Sequence, residues 1–238
     1  MELIHQANAN REPRQVALWL VRQAADWVPA PVWALVARDP DGEVRILASL
    51  ELSAELEPSI WTAANLVLRR QVDFAAADLS IEPDALPDAR GAVIAFPLHS
   101  GGEVVGALVG LDPTAATVAP ALGAVEPLLR TALDPGAIAL DNARQRERSR
   151  NFFTHTSEIL VSFLEALDVH HPGHSRAVAA LSDLVTRRLG LAEGERRTIH
   201  FGALLHDIGK IRLNSELLTD GQGFSPEAHR SMQDHTRF

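Results

Sequence analysis

The stretch that decides how this sequence folds and works is Phe201-Gly-Ala-Leu-Leu-His-Asp-Ile-Gly-Lys210. An apolar run in it leads to His206 and Asp207, and Lys210 follows. Imidazole nitrogens and carboxylate oxygens together suit Fe, Mn, Zn and similar divalent ions. On one helix Lys210 lies four residues after His206 and three after Asp207, so all three are expected to face one cleft. A metal pair and a lysine suit an anionic substrate such as a phosphodiester. The alternative is a buried helix whose histidine and aspartate are merely hydrogen-bonded.

Two further blocks accompany this stretch. Upstream stand Glu165-Ala-Leu-Asp168 and Gly173-His174-Ser175, and downstream Ser225-Pro226-Glu227 leads to His235. In residue type, order and spacing, residues 158–238 strongly resemble the HD phosphohydrolase superfamily, and its HD-GYP branch in particular.

The resemblance implies a metal site and an activity. By this resemblance His174, His206, Asp207 and His235 are ligands of divalent metal ions such as Fe or Mn, and Asp207 bridges two ions. The catalytic residues it implies are Asp207 and Lys210, with Lys210 meeting the scissile phosphate. The activity of the family is hydrolysis of the cyclic dinucleotide c-di-GMP. Bridged divalent ions lower the pKa of a bound water to near neutrality, which generates hydroxide for in-line attack on phosphorus.

The sequence also departs from the family pattern. A paired His-His-Glu segment, a Gly-Tyr-Pro loop and a later ligand aspartate do not follow before the chain ends at Phe238, and the chain has no tyrosine. Arg176 sits one place early, and His170 stands where a three-metal subgroup has glutamate. Four ligands spread over two ions leave most coordination positions to water. We therefore expect weak metal binding or none, little or no phosphodiesterase activity, and either a fragment of a longer enzyme or a shortened homologue kept for regulation.

Length, composition and charge limit the other possibilities. At 238 residues, with 46% apolar and 22% charged residues, the chain suits two modest globular domains. The absence of cysteine excludes disulfides, thiolate metal sites and cysteine nucleophiles. A net charge of −9 argues against a nucleic-acid polymer as partner, because such a partner requires a basic surface. With no apolar run near the ~18 residues of a membrane span and no leader pattern, we expect a cytoplasmic protein without a membrane partner.

Residues 1–146 alternate between helical and strand patterns. Periodicity predicts helices at 13–28 and 58–70, strands at 32–37, 43–48, 91–98 and 103–111, and a helix over 118–150 that Pro120, Pro127 and Pro135 break or kink. Residues 73–90 show no clear period and are interpreted as a lid. This order, together with Phe96-Pro97-Leu98, residues 103–108 and residues 137–143, resembles a GAF domain. The resemblance implies a sensory module that encloses an unknown small ligand or dimerises through its terminal helices.

The rest of the chain has helical patterns only. Apolar stripes predict helices at 158–168, 174–189 and 192–209, and Ser225-Pro226-Glu227 is expected to begin a last helix. No ligand role is expected for His155, His200 or His229. The predicted fold is an α+β GAF-like domain at 1–146, an antiparallel sheet with flanking helices, followed by an all-α partial HD-domain helical bundle at 147–238. A homodimer is expected, with the helix at 136–165 as its seam.

Three functions follow from these observations. The first is a bacterial signalling protein in which a GAF sensor is coupled to an incomplete, weak or inactive HD-GYP-type phosphodiesterase. The second is a non-catalytic sensory or dimerisation module. The third is an HD-superfamily nucleotide phosphohydrolase with another substrate, against which the block from Ser225 to His235 counts.

Overall fold

A computed structural model describes residues 12–28, 30–38, 43–114, 122–167 and 171–213, together with Pro226, Gln233 and His235. The chain divides into two compact units, Met1–Ser149 and Arg150–Phe238. The boundary expected from the sequence lies between residues 146 and 147. Within the described ranges, no helix is both long and apolar enough to cross a membrane.

The first unit is built from a five-stranded sheet and helices. Its elements are α1 (Pro13–Trp27), β1 (Val32–Arg38), β2 (Val44–Leu50), α2 (Glu57–Arg70), β3 (Phe74–Ala76), β4 (Ala92–Ser100), β5 (Glu103–Asp112) and the start of α3 (Leu122–Leu167), with short 3-10 turns at Ala54–Leu56 and Leu79–Ile81. The strands pair in the order β2-β1-β5-β4-β3, and every pairing is antiparallel. The predicted antiparallel sheet with flanking helices is confirmed.

Both faces of the central strands β1, β4 and β5 are buried, which explains why these strands read as apolar runs. Along β1, Trp33 and Leu35 belong to a core shared with α1 and α3, and the alternate residues Ala34 and Val36 belong to a core shared with α2. This alternation is the two-residue period of a β-strand. Each fully buried Val, Leu, Ile or Phe side chain contributes about 1.5–3 kcal/mol. The sheet unit is therefore held by a large hydrophobic core on each side.

The segment at 73–90 is more ordered than the sequence indicates. It contains the edge strand β3, in which Phe74 pairs with Ala95. The hydroxyl of Ser59 on α2 accepts a hydrogen bond from the backbone N–H of Arg90 and donates one to its carbonyl, both at 2.9 Å. The Thr62 hydroxyl accepts a third bond, from the N–H of Leu86 at 3.0 Å. The lid interpretation missed these contacts with α2.

The prolines in α3 do not break it. The helix is continuous from Leu122 to Leu167 through Pro127 and Pro135, so the predicted break does not occur at these two positions, and Pro120 lies outside the described residues. A proline inside a helix removes one hydrogen bond and costs about 3 kcal/mol. Burial next to Pro135 offsets that loss, because Leu133 and Ala137 lie in the same core as Leu20, which approaches Gly136 closely. Tertiary packing thus overrides the local preference.

The second unit is helical in every described segment. It contains the end of α3, then α4 (His174–Arg188), α5 (Glu193–Leu205) and a 3-10 turn at Ile208–Arg212. The helix predicted at 192–209 therefore ends early, and the last helix predicted from Ser225 lies largely outside the described residues. Among the described residues of this unit, four apolar side chains are buried: Val161, Leu164, Ala179 and Leu204. The prediction of an all-α unit is confirmed for the described segments.

Candidate metal centre

The His206-Asp207 pair lies where α5 ends and the 3-10 turn begins. His206 caps α5, and Asp207 has φ −98° and ψ 6°, outside the α-helical region. The expectation that His206, Asp207 and Lys210 share one α-helix is therefore wrong. Residues three apart eclipse each other on a 3-10 turn, so Lys210 still lies on the side of Asp207. Its Nζ is 2.8 Å from Asp207 Oδ2.

His174 reaches the same place from the start of α4. Its Nε2 lies 3.3 Å from His206 Nε2 and 3.9 Å from Asp207 Oδ2. The residue before it, Gly173, has φ +75°, a left-handed conformation that favours glycine. This glycine lets the chain turn directly into α4, so that the histidine stands in the first helical position.

His235 completes the cluster, and a glycine makes room for it. Its Nε2 lies 3.4 Å from Asp207 Oδ1. A Cβ placed on Gly209 would overlap the backbone carbonyl of His235. The glycine of the His-Asp-Ile-Gly-Lys sequence therefore allows the His235 backbone to pack directly on the 3-10 turn.

The hydrogen bonds of His206 fix which ring nitrogen is available. Its Nδ1 lies 2.8 Å from the carbonyl oxygen of Ala203, and a carbonyl only accepts, so Nδ1 carries the proton and donates. In a neutral ring this leaves the lone pair on Nε2, which lies 3.3 Å from Asp207 Oδ1. Histidine ligands of metals are oriented by this kind of bond from the other ring nitrogen.

The donor atoms fit a divalent cation. His174, His206 and Asp207 each offer an atom, and these three atoms all lie within 4.8 Å of one another. Ligand atoms at about 2.1 Å from one ion, at tetrahedral or octahedral angles, lie about 3.0–3.5 Å apart. The two Nε2 atoms of His174 and His206 and the pair His206 Nε2–Asp207 Oδ1, both 3.3 Å apart, match that spacing. Asp207 is 8% exposed, so its carboxylate is the buried centre of the group.

All five residues expected from the sequence are therefore brought together. Asp207 Oδ1 is close to His206 and His235, and Oδ2 is close to His174 and Lys210. A carboxylate with both oxygens engaged in this way can contact two cations. His200 lies elsewhere: its Nδ1 is 3.0 Å from Asp183 Oδ2, between α5 and α4.

An ion-pair network next to this group was missed by the sequence analysis. Arg176 contacts Glu165, and its Nη2 also lies 3.1 Å from Glu158 Oε2 and 3.0 Å from Ser162 Oγ. Burial alone lowers the pKa of Arg176, but its hydrogen bond with Glu158 and the negative charge of Glu165 outweigh that effect and raise the pKa above its ordinary value. Glu158, Ser162 and Glu165 recur at i, i+4 and i+7, and this polar stripe on a helix was the available signal.

Comparisons with known proteins agree with the C-terminal assignment. Residues 173–238 match the HD domain family. The chain is 36% identical over 84 residues to the 3'3'-cGAMP-specific phosphodiesterase 3 of Vibrio cholerae serotype O1, covering 34% of this chain and 18% of that protein. It is 32% identical over 95 residues to the cyclic di-GMP phosphodiesterase of Thermotoga maritima, covering 37% of this chain and 26% of that protein. The alignments thus span about a quarter or less of these curated relatives.

Solved structures resemble the chain at low sequence identity. The GAF domain/HD domain protein from Geobacter sulfurreducens has 15% identity and a TM-score of 0.48, covering 58% of this chain and 98% of that one. The GAF domain from the Acinetobacter phosphoenolpyruvate-protein phosphotransferase has 17% identity and a TM-score of 0.48, covering 60% and 91%. Residues 173–238 thus match the HD domain family, and they follow an α+β unit with the element order expected of a GAF-like domain.

Proposed function

We propose that this chain is part of a bacterial signalling protein in which a GAF-type sensor is coupled to an HD-GYP-type, metal-dependent unit that acts on a cyclic dinucleotide. One observation carries the proposal: the Nε2 atoms of His174, His206 and His235 each lie within 4 Å of a carboxylate oxygen of Asp207. The similarity to two cyclic dinucleotide phosphodiesterases supports the substrate class.

In this proposal each residue has a definite task. His174, His206, Asp207 and His235 would hold divalent ions such as Mn²⁺ or Fe²⁺, with Asp207 as the central ligand. Bound divalent ions supply Lewis acidity and lower the pKa of water. The Ala203 carbonyl fixes the His206 ring, and Asp207 is buried, so the ligand set is oriented in advance. Lys210 supplies a cation for a phosphate oxygen once it leaves Asp207 Oδ2, 2.8 Å away.

We propose further that metal is held weakly by this chain and that its turnover is low. The side chains of His174 and His206 are more than a third exposed, so water competes for the ion and screens its charge. The four proposed ligands also fill only part of the coordination of two ions. Low occupancy under ordinary buffer conditions is the expected result.

The test combines metal content with turnover. The purified chain is supplied with Mn²⁺ or Fe²⁺, bound metal per chain is measured by mass spectrometry, and c-di-GMP and 3'3'-cGAMP are followed separately by chromatography. Asp207→Ala should abolish both metal binding and any turnover, because it removes the central carboxylate. His200→Ala is the matched control, since that histidine pairs with Asp183 and lies outside the cluster. Metal binding that survives Asp207→Ala would show that the site is misplaced.

A second candidate, a dimerisation module without catalysis, is favoured by one observation. Phe152, Ile159 and Phe163 are exposed on α3. Their spacing of seven and four residues places them on one face, as in a coiled-coil seam. This is the helix expected to form the seam of a homodimer, with a second copy of the chain as the partner.

Light scattering after size-exclusion chromatography tests the dimer. Ile159→Glu should shift the chain to monomer by placing a charge in the seam, whereas Thr154→Glu, on the opposite face of the same helix, should leave the mass unchanged. A monomeric wild-type chain at tens of micromolar would rule the seam out. A dimer without metal or turnover would favour this module over the enzyme.

A further inference from the structure

Glu165, near the end of α3, has one carboxylate oxygen satisfied and the other not. Its Oε2 accepts from Arg176. Its Oε1 is buried and accepts no hydrogen bond from any residue that the structure describes. The Glu165 side chain as a whole is 19% exposed. A buried charged acceptor left without a partner is strongly unfavourable, so a donor or cation is expected at this oxygen.

The position of Glu165 indicates what that partner is. Glu165 lines the same cleft as His174, Asp207 and Lys210. It does not belong to the three residues whose donor atoms all lie within 4.8 Å of one another. His235 is outside that group too, but its Nε2 lies 3.4 Å from Asp207 Oδ1, whereas Glu165 is held by Arg176. Contact of Glu165 with the ion through the water shell of that ion therefore fits.

We propose that Glu165 is a positioning residue of the metal centre: its Oε1 accepts hydrogen bonds from the hydration shell of the cation held beside Asp207, while Arg176 fixes its Oε2. The inference rests on the proposed metal site and adds a carboxylate that the sequence resemblance assigns no role as a ligand. In this arrangement the Arg176 guanidinium holds the Glu165 carboxylate in a fixed orientation toward the cleft.

Arg176 supports this role by its other contacts. The guanidinium also contacts Glu158 and Ser162, at 3.1 and 3.0 Å, so it is anchored to α3 at three points. Glu158 shares the arginine but is 47% exposed and is absent from the cleft lining. Glu158 is therefore a matched control: the same residue type on the same helix, paired with the same cation, without access to the cleft.

The experiment measures Mn²⁺ affinity of the full chain by isothermal titration calorimetry. Glu165→Gln keeps the shape but replaces one oxygen by an amide donor and removes the charge. Loss of a carboxylate that orients a metal site weakens affinity by about 10–100-fold, and this is the expected change. Glu158→Gln should stay within about twofold of wild type, since surface ion pairs contribute little. Equal affinities for wild type and Glu165→Gln would overturn the inference.

Two further variants separate the possible failures. Asp207→Asn should abolish binding; if it binds as wild type does, or if wild type binds no Mn²⁺, the proposed metal site fails and the inference falls with it. If Asp207→Asn loses binding and Glu165→Gln does not, only the inference fails.

A purely structural role is distinguished by thermal unfolding without metal. Such a role predicts a lower Tm for Glu165→Gln with unchanged Mn²⁺ affinity, which would contradict the proposal. If Glu165→Gln does not fold, Arg176→Lys replaces it: the charge is retained but the multiple contacts are lost. A reduced Mn²⁺ affinity in the folded Arg176→Lys chain supports the positioning role, and an unchanged affinity contradicts it.

Discussion

The two units of this chain are stabilised in different ways. In the sheet unit, long apolar runs are buried on both faces, and Trp33, Phe96 and Leu108 are completely inaccessible. In the described part of the helical unit, only four apolar side chains are buried, and the buried Asp207 lies beside three histidines and a lysine. Such a small hydrophobic core provides little stability by itself. We infer that polar contacts and bound ions matter more to the second unit than to the first.

Removing a buried side chain should have the largest effect, and it should act on the sheet unit. Phe96→Ala is expected to destabilise by about 3–5 kcal/mol, because it leaves a cavity in a packed core. Phe96 is 0% exposed, whereas Leu184 in the helical unit is 65% exposed. Leu184→Ala is therefore the control and should change stability by less than about 0.5 kcal/mol. Urea denaturation measures both; equal losses would break the contrast between the units.

Bound metal should stabilise the helical unit, and this gain in stability should be smaller than the loss caused by Phe96→Ala. Mn²⁺ at about 100 times its dissociation constant stabilises a folded site by about 2.7 kcal/mol. Hydrogen exchange measured by mass spectrometry should show new protection in α4 and α5 and no change in β1 and β4, and a chelator should reverse it. New protection from exchange confined to the sheet strands would show that the cation binds the sheet unit and would contradict the prediction.

The smallest effect is expected from one methyl group, and its sign should depend on position. Gly209→Ala forces a Cβ onto the carbonyl of His235, so we expect a loss of about 1–3 kcal/mol together with weaker Mn²⁺ binding. Gly202→Ala in α5 meets nothing within 4 Å and should stabilise by about 0.5–1 kcal/mol. Thermal unfolding and calorimetry of the two variants provide the comparison. A gain in stability for both would show that the approach of His235 is not tight.

The sequence predicted the sheet unit well because its signals are local. The apolar runs of β1, β4 and β5, bounded by turn residues, indicate strands whatever lies around them. The edge strand β3 was missed because three residues are too few to show a period. The continuity of α3 through its prolines could not be predicted, because the close contact between Gly136 and Leu20 is tertiary and leaves no local signal in the sequence.

The candidate site could not be derived from spacing alone. His174 and His206 are 32 residues apart, and no helical or strand period connects them. Their proximity was expected only through resemblance to a family, and their role as ligands stays a prediction. The predicted proximity of Lys210 to Asp207 is correct, but the predicted reason is wrong: the two residues are joined by a 3-10 turn and not by a continued α-helix. The Arg176 network was overlooked although its carboxylates form a visible stripe.

The contact between Lys210 and Asp207 has a consequence for the order of binding. An anion that attracts the ammonium group draws it away from Oδ2 and leaves that oxygen with a free lone pair, which favours a cation. A cation that occupies Oδ2 releases the ammonium for an anion in the same way. Since such coupling is reciprocal, phosphate groups and divalent ions are expected to bind with positive cooperativity, each raising the affinity for the other by the same factor.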